Sequence, residues 1–396
     1  MAVSQVNPPR GMRDFLPSEK AKREHLLAVA KTAYLDRGFQ EIETPVLEEL
    51  SRLQSGQGGD NEKLVFKVLK RGEEFTQAQE AGLELADLGL RFDLTVPLTR
   101  YYATNRANLP RVFKAIQTGP VFRAERPQKG RYRQFVQCDI DIIGDSSILA
   151  ELELLSASLA ALTQMGVEGA TIRVNHRELL KANIASLGVG EADSLSAMIT
   201  IDKLDKIGIE GVATELGQKF GDSVASKATS WLESIDTNQV PELLAPLFTA
   251  GFSKQLRFDP TLVRGMGYYT GSIFEIEHPD SSSSIGGGGR YDGMVGRWLG
   301  DDVPAVGISL GIERIVDLVH SSGSLRPGLV LLLDEPQDAG RAMKLQEELL
   351  DQYRVRLEVR PKNLKAVLAE LADSFDFFAF VGEAQNASQL EIKPLS

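Results

Sequence analysis

The residues with most to offer chemically are arginines. Arg123, Arg126, Lys129, Arg131 and Arg133 crowd into "VFRAERPQKGRYRQF", with Glu125 the only acid among them. Arg264 stands in "LVRGMGYYTG", and Arg314 in "PAVGISLGIERI", a segment otherwise almost wholly apolar. A guanidinium offers a planar fork of donors that matches phosphate oxygens and stays charged. Arginines are the remaining means of holding a triphosphate here, because no GxxxxGK[ST] loop occurs. Each has a plainer alternative. A buried Arg314 needs an anion, and the plain partner is Glu313 or another local carboxylate. The basic stretch could be a solvated hairpin tip. "GGGGR" (286–290) reads as a tight turn that lets backbones approach closely, not as a phosphate cradle.

Past the basic stretch come Phe135 and then Gln137, Asp139 and Asp141 at period two. Alternate residues of a strand share a face. The opposite face, Val136, Cys138, Ile140 and Ile142, is apolar. The polar face is either a solvent-facing side or the floor of a polar site. Other chemistries find no support. His25, His176, His278 and His320 lack ligand spacing and read as surface or capping residues. A single cysteine, Cys138, excludes an internal disulfide and a cysteine-based zinc site. No GxSxG or Ser/His/Asp arrangement is present.

Those residues need elements to position them. A chain of 396 residues is long for one core and implies two or three domains. Its net charge of −11 argues against non-specific coating of nucleic acid while leaving room for a local basic site. No apolar run reaches membrane-spanning length, and the start of the chain has no apolar signal region, so a reducing cytoplasm is expected. Periodicity predicts a helix over 18–37, a strand over 39–50 interrupted by Pro45, and strands over 64–69 and 74–79. It predicts a strand passing into a helix over 88–102, two strands joined by the basic loop over 112–144, and a helix over 146–166. Residues 171–259 read as a strand followed by a mostly helical insertion. Strand alternation returns over 262–278, and 304–319 reads as a strand running into a helix. After a linker, 329–396 alternates strands and helices.

Taken together, several stretches carry a resemblance: "PPRGMRDFLP" (8–17), "GFQEIETPVLE" (38–48), "LRFDLTVPLTRYYA" (90–103), "FRAERPQKGRYRQFVQCDIDIIG" (122–144), "LVRGMGYYTGSIFE" (262–275), "GGGRYDG" (287–293) and "PAVGISLGIERI" (304–315). In that order they resemble the histidyl-tRNA synthetases, which are class II aminoacyl-tRNA synthetases. The resemblance implies an α+β fold: a class II antiparallel-sheet catalytic core over 1–170 and 260–321, a helical insertion over 171–259, and a small, shortened anticodon-binding-like α/β domain over 328–396. It implies a homodimeric cytoplasmic ligase that uses ATP, L-histidine and tRNA-His, with Mg2+ and without a membrane. By resemblance Arg123, Arg264 and Arg314 are catalytic. Arg123, Glu125, Arg131, Phe135 and Arg314 bind ATP, and Glu125 assists Mg2+. Asp93, Thr95, Gln137, Asp141, Arg264, Tyr269 and Tyr291 bind histidine, and Gln128, Lys129 and Arg133 meet the tRNA acceptor end. Gly267 departs from the family, which usually has aspartate there. The rival expectation is the histidine-binding regulatory subunit of ATP phosphoribosyltransferase, which resembles the same core but usually lacks the last domain and several of these arginines.

Overall fold

A computed structural model describes residues 6–54, 63–127, 130–264, 267–319, 326–372 and 374–395. The chain divides into two compact units, Met1–Asp14 with Leu26–Val319, and Phe15–His25 with His320–Ser396.

The first unit is built on an eight-stranded sheet. Its strands are β1 (Gln40–Ile42), β5 (Phe113–Phe122), β6 (Gln134–Ile143), β7 (Thr171–His176), β8 (Leu256–Phe258), β9 (Ser272–Glu277), β10 (Gly286–Arg290) and β11 (Ala305–Gly311). Across the sheet the order is β1-β5-β6-β11-β10-β9-β7-β8. The six central strands are antiparallel, and only the outer pairs β1/β5 and β7/β8 run parallel. A separate small sheet, in the order β2-β4-β3, takes β2 (Leu47–Glu49), β3 (Lys67–Leu69) and β4 (Ala86–Leu90). Pro45 lies between β1 and β2, where a residue without an N–H breaks the ladder and the chain changes sheets.

Apolar spacing accounts for the helices. Pro17–Leu35 buries Leu26, Leu27, Ala30, Ala33 and Tyr34, a single stripe. Gly38 follows with φ of 80°, a left-handed position that glycine takes without a Cβ penalty. Helix Ile148–Gln164 packs Leu154, Leu155 and Leu162 into the main core with Ile140, Ile142, Phe274 and Ile308. Residues 177–233 form helices Arg177–Ser186, Ser194–Ile201, Leu204–Phe220 and Asp222–Glu233, with a core of their own around Leu180, Met198, Val212 and Leu232. This helical region is bracketed by β7 and β8, so both of its ends belong to the sheet.

Two expectations are corrected. Residues 74–79 are not a strand but lie in helix Gly72–Glu80. The apolar Phe75 and Ala78 are three residues apart, a helical spacing, and Glu73 and Glu74 suit the positive end of a helix. "GGGGR" is not a turn but β10, near the middle of the large sheet. Four glycines weaken a strand in isolation. Here the surroundings demand them: a Cβ on Gly288 would lie 2.0 Å from the Gly307 carbonyl oxygen, and one on Gly289 2.8 Å from the Tyr269 ring.

The second unit contains a four-stranded sheet in the order β13-β12-β14-β15: β12 (Gly328–Leu333), β13 (Arg354–Val359), β14 (Phe377–Phe380) and β15 (Lys393–Pro394). β12 is flanked by parallel partners on both sides and reads as a continuous apolar run, every residue buried. Helices Ala339–Leu349 and Leu364–Leu371 supply the α/β alternation.

Candidate active site

The floor of the site is one face of the large sheet. Cross-strand register places Gln117, Asp139, Ser309, Gly287, Glu275 and Arg173 in a single row across six strands. The neighbouring row contains Asp141, Gly307 and Gly289. A polar row through the middle of a buried sheet is expensive unless its groups find partners. The polar face of β6 is therefore a site floor and not a solvent-facing side, since Gln137, Asp139 and Asp141 are all buried.

A cleft lies over this floor as two confluent cavities that share Arg123, Glu125, Arg131, Gln137, Arg264 and Arg314. One end is cationic. The Arg123 Nε donates to the Phe92 carbonyl (3.0 Å), and its guanidinium stands 5.0 Å from the centre of the Phe135 ring. Among the described residues, Arg314 donates only to backbone carbonyls, those of Gly130 and Ser284. The expected local pairing with Glu313 does not form: both Glu313 oxygens accept from the Val136 N–H. Burial, then the proximity of Arg131 and Arg123, lowers the Arg314 pKa from its ordinary value. Burial lowers that of Arg123 as well, with Asp93 and Glu125 acting against it. Arg131 approaches Glu125 at 3.7 Å. Several guanidinium groups converge on a space lined by the carboxylates Glu125 and Glu313, the latter already engaged by the Val136 N–H; an anion with many oxygens is the ligand that relieves their repulsion.

Arg264 bridges the two ends. Its Nη1 donates to Glu275 (2.7 Å), and a Cβ on Gly287 would lie 2.7 Å from its guanidinium carbon. Glycine at 287 is what lets the arginine lie flat on the sheet.

The other end is acidic and aromatic. Asp93 accepts from the Val96 N–H (3.0 Å) at the start of helix Thr95–Asn105, and burial pushes its pKa up to about 6. Asp141 accepts from the Tyr291 hydroxyl (2.6 Å) and is pushed up to about 7, again by burial. Asp139 lies well above the carboxylate range through burial and the nearby Asp141. Gln137 donates to Ser309 (2.6 Å). Tyr268 packs edge-on against Tyr269 and Tyr291, with ring centres 4.8 and 6.0 Å apart. Four buried atoms of cleft-lining residues have no partner among the described residues: Asp93 Oδ2, Gln137 Oε1, Asp139 Oδ1 and Arg264 Nε. Orphaned buried polar atoms are rare, and a group of them around one cleft marks where a polar ligand completes the structure.

The structure thus gathers Arg123, Glu125, Arg131, Phe135, Arg264 and Arg314 at one end and Asp93, Thr95, Gln137, Asp141, Tyr269 and Tyr291 at the other. Arg133 lies apart. Its Nε donates to the Glu125 carbonyl and its Nη1 to that of Arg10, while its N–H bonds the Gly11 carbonyl, so it ties the loop to the N-terminal segment. Gln128 and Lys129 lie outside the described residues. Sequence reasoning did not single out Ser309, Tyr268, Glu275, Ser284 or Asp202 as lining residues. The signal for Ser309 was its period-two relation to Gly307 on β11. Asp202 belongs to the charged stretch 202–206, which in sequence reads as a helix surface and not as a site, yet it lines the cleft.

An antiparallel-rich sheet that floors such a cleft is the catalytic core of a class II aminoacyl-tRNA synthetase, and solved structures share it. The fold matches the crystal structure of histidyl-tRNA synthetase from Nostoc sp. PCC 7120 with a TM-score of 0.75 and 25% identity, covering 99% of this chain and 95% of that one. The histidyl-tRNA synthetase family model matches residues 11–315. The chain is 51% identical to the histidine–tRNA ligase of Leifsonia xyli subsp. xyli, covering 100% of this chain and 99% of the relative. It is 42% identical to the probable histidine–tRNA ligase of Tropheryma whipplei (strain Twist) over 95% of each. This chain belongs to the histidyl-tRNA synthetase family.

Proposed function

We propose that this protein is a histidine–tRNA ligase: it activates L-histidine with ATP and transfers it to tRNA-His. The observation that carries the reading is the two-ended cleft, with converging arginines at one end and orphaned acid and amide groups at the other. ATP occupies the cationic end, with Phe135 against the adenine, Arg314 on the far phosphates and Arg123 on the α-phosphate. Histidine occupies the acidic end. Its α-ammonium meets Asp93, Thr95 and Gln137, and its imidazole meets Asp141, Tyr269 and Tyr291. A carboxylate that accepts from an imidazole N–H discriminates well, because an amino acid without that donor leaves it buried and unpaired.

The histidine carboxylate attacks the α-phosphorus, and pyrophosphate departs. Charge grows on the α-phosphate oxygens, where Arg123 and Arg264 are already oriented. No protein nucleophile is needed. The terminal ribose hydroxyl of tRNA-His then attacks the acyl carbon, and AMP leaves. Mg2+ enters with ATP. Such an ion takes most of its ligands from phosphates and water and asks for only one or two carboxylates, which Glu125 fits; when bound it neutralises phosphate charge. Among the described residues there is no cluster of metal-ligating side chains for a resident ion. The working form is a cytoplasmic homodimer, and Arg131 and the rest of the loop meet the acceptor end.

The retained Arg123, Arg264 and Arg314 favour a ligase over a histidine-binding regulatory subunit, which has no pyrophosphate to release. The test is ATP–pyrophosphate exchange with each amino acid in turn. Exchange with histidine alone, lost in Arg264→Ala, supports the reading; histidine binding without exchange overturns it.

A further inference from the structure

Arg173 contributes nothing directly to the cleft, yet it is the most heavily paired arginine beneath it. It is buried on β7 at the end of the polar row. Its Nε and Nη2 engage Asp259 at 2.7 and 2.6 Å, and its Nη1 meets Glu275 at 3.2 Å, Glu277 at 3.1 Å and Asp205 at 3.3 Å. Two of these partners lead to Arg264. Glu275 sits between Arg173 and Gly287 in the row and gives its other oxygen to the Arg264 guanidinium. Asp259 begins the segment that carries Arg264. It is held by Arg173, and it accepts from the Thr261 N–H and hydroxyl. Two residues further along β7, Asn175 donates to the carbonyls of Pro260 and Leu262 in the same segment.

We propose that Arg173 is a positioning residue that sets where Arg264 points, by fixing both the start of its segment through Asp259 and its guanidinium partner Glu275. This rests on the reading of Arg264 as the α-phosphate arginine. Glu275 alone would compete with the α-phosphate for Arg264. With Arg173 on its other oxygen, Glu275 shares its charge between two cations, so it orients Arg264 through Nη1 alone, and the buried Arg264 Nε has no partner among the described residues. Lysine at 173 keeps the charge but cannot span Asp259 and Glu275 together with one planar fork.

The test is a double-mutant cycle in histidine-dependent ATP–pyrophosphate exchange, using wild type, Arg173→Lys, Arg264→Lys and the double variant, with kcat and both KM values measured. Displacing a group by about an ångström costs on the order of 100-fold. Arg173→Lys is expected to lower kcat by roughly 10- to 100-fold, to move the histidine KM less than about threefold, and to change kcat less than about twofold once residue 264 is lysine. An equal fall in kcat in both backgrounds, or no fall in either, overturns the proposal. If Arg173→Lys fails to fold, Glu275→Gln takes its place in the cycle with the same expected non-additivity. No histidine-dependent exchange by the wild type would instead sink the ligase reading itself.

Discussion

The two ends of the cleft make opposite electrostatic bargains. At one end Arg123, Arg131 and Arg314 repel one another, and Arg314 is held by the carbonyls of Gly130 and Ser284. At the other, Asp93, Asp139 and Asp141 are buried together, and each is pushed towards its neutral form. Neither end is comfortable when empty. In the proposed function each end takes what one substrate brings: phosphate oxygens for the arginines, an ammonium and an imidazole N–H for the acids. On that proposal the two ends, opposite in charge, should fail in different kinetic constants.

The largest expected effect is at the cationic end. Arg123→Ala removes a donor at the developing charge and should cost about 100- to 1000-fold in kcat of exchange, with a smaller change in the histidine KM. A loss confined to the histidine KM would break the comparison.

Asp141→Asn is the counterpart. It keeps a partner for Tyr291 but loses the charged acceptor, worth about 1.5–3 kcal/mol, so the histidine KM should rise about 10- to 100-fold while the ATP KM holds. The same variant has a stability signature. The folded protein holds the Asp141 proton up to a pH of about 7, whereas an ordinary carboxyl releases it near 3.8. Folded chains thus bind more protons than unfolded ones across that window, and stability without ligand falls as pH rises through it. Asparagine removes that penalty. The unliganded variant should melt above wild type at pH 8, and the gap should close as pH falls towards 4.

Two glycines sharpen the contrast with one methyl group each. A Cβ at 287 would strike the Arg264 guanidinium, and a Cβ at 307 would fall 1.9 Å from the Asp141 carboxylate. Gly287→Ala should mainly lower kcat, and Gly307→Ala should mainly raise the histidine KM, each by about 10-fold or more since displaced groups lose their alignment. Steady-state kinetics on the pair checks the split. The smallest effect expected is that of Phe135→Ala, an ATP KM higher by about 3- to 10-fold, the worth of one aromatic stacking contact.

How much of this was legible in the sequence depends on distance along the chain. Arg123 through Asp141 belong to one hairpin, that of β5 and β6, so their spacing carried the period-two face and the basic loop directly. Arg264 and Arg314 were visible as charges in apolar company, but their meeting with Arg123 required β6, β11 and β10 to lie side by side, which pairing between distant segments decides. The four glycines were misread because local propensity speaks for a turn, while the needs of Tyr269, Gly307 and Arg264 are tertiary. Glu275 and Arg173 were silent, since a charge on a strand gives no hint of the row it joins. Arg133, expected among the residues that meet the tRNA acceptor end, stands among cations in sequence, and its bonds in the structure go to the carbonyls of Glu125 and Arg10.

The most direct test of the central claim is charging of a tRNA-His transcript with labelled histidine and ATP. The account predicts histidyl-tRNA formation by the wild type, with labelled tRNA absent when Arg264 is alanine. Wild-type protein that binds histidine and ATP yet leaves the transcript unlabelled would contradict it.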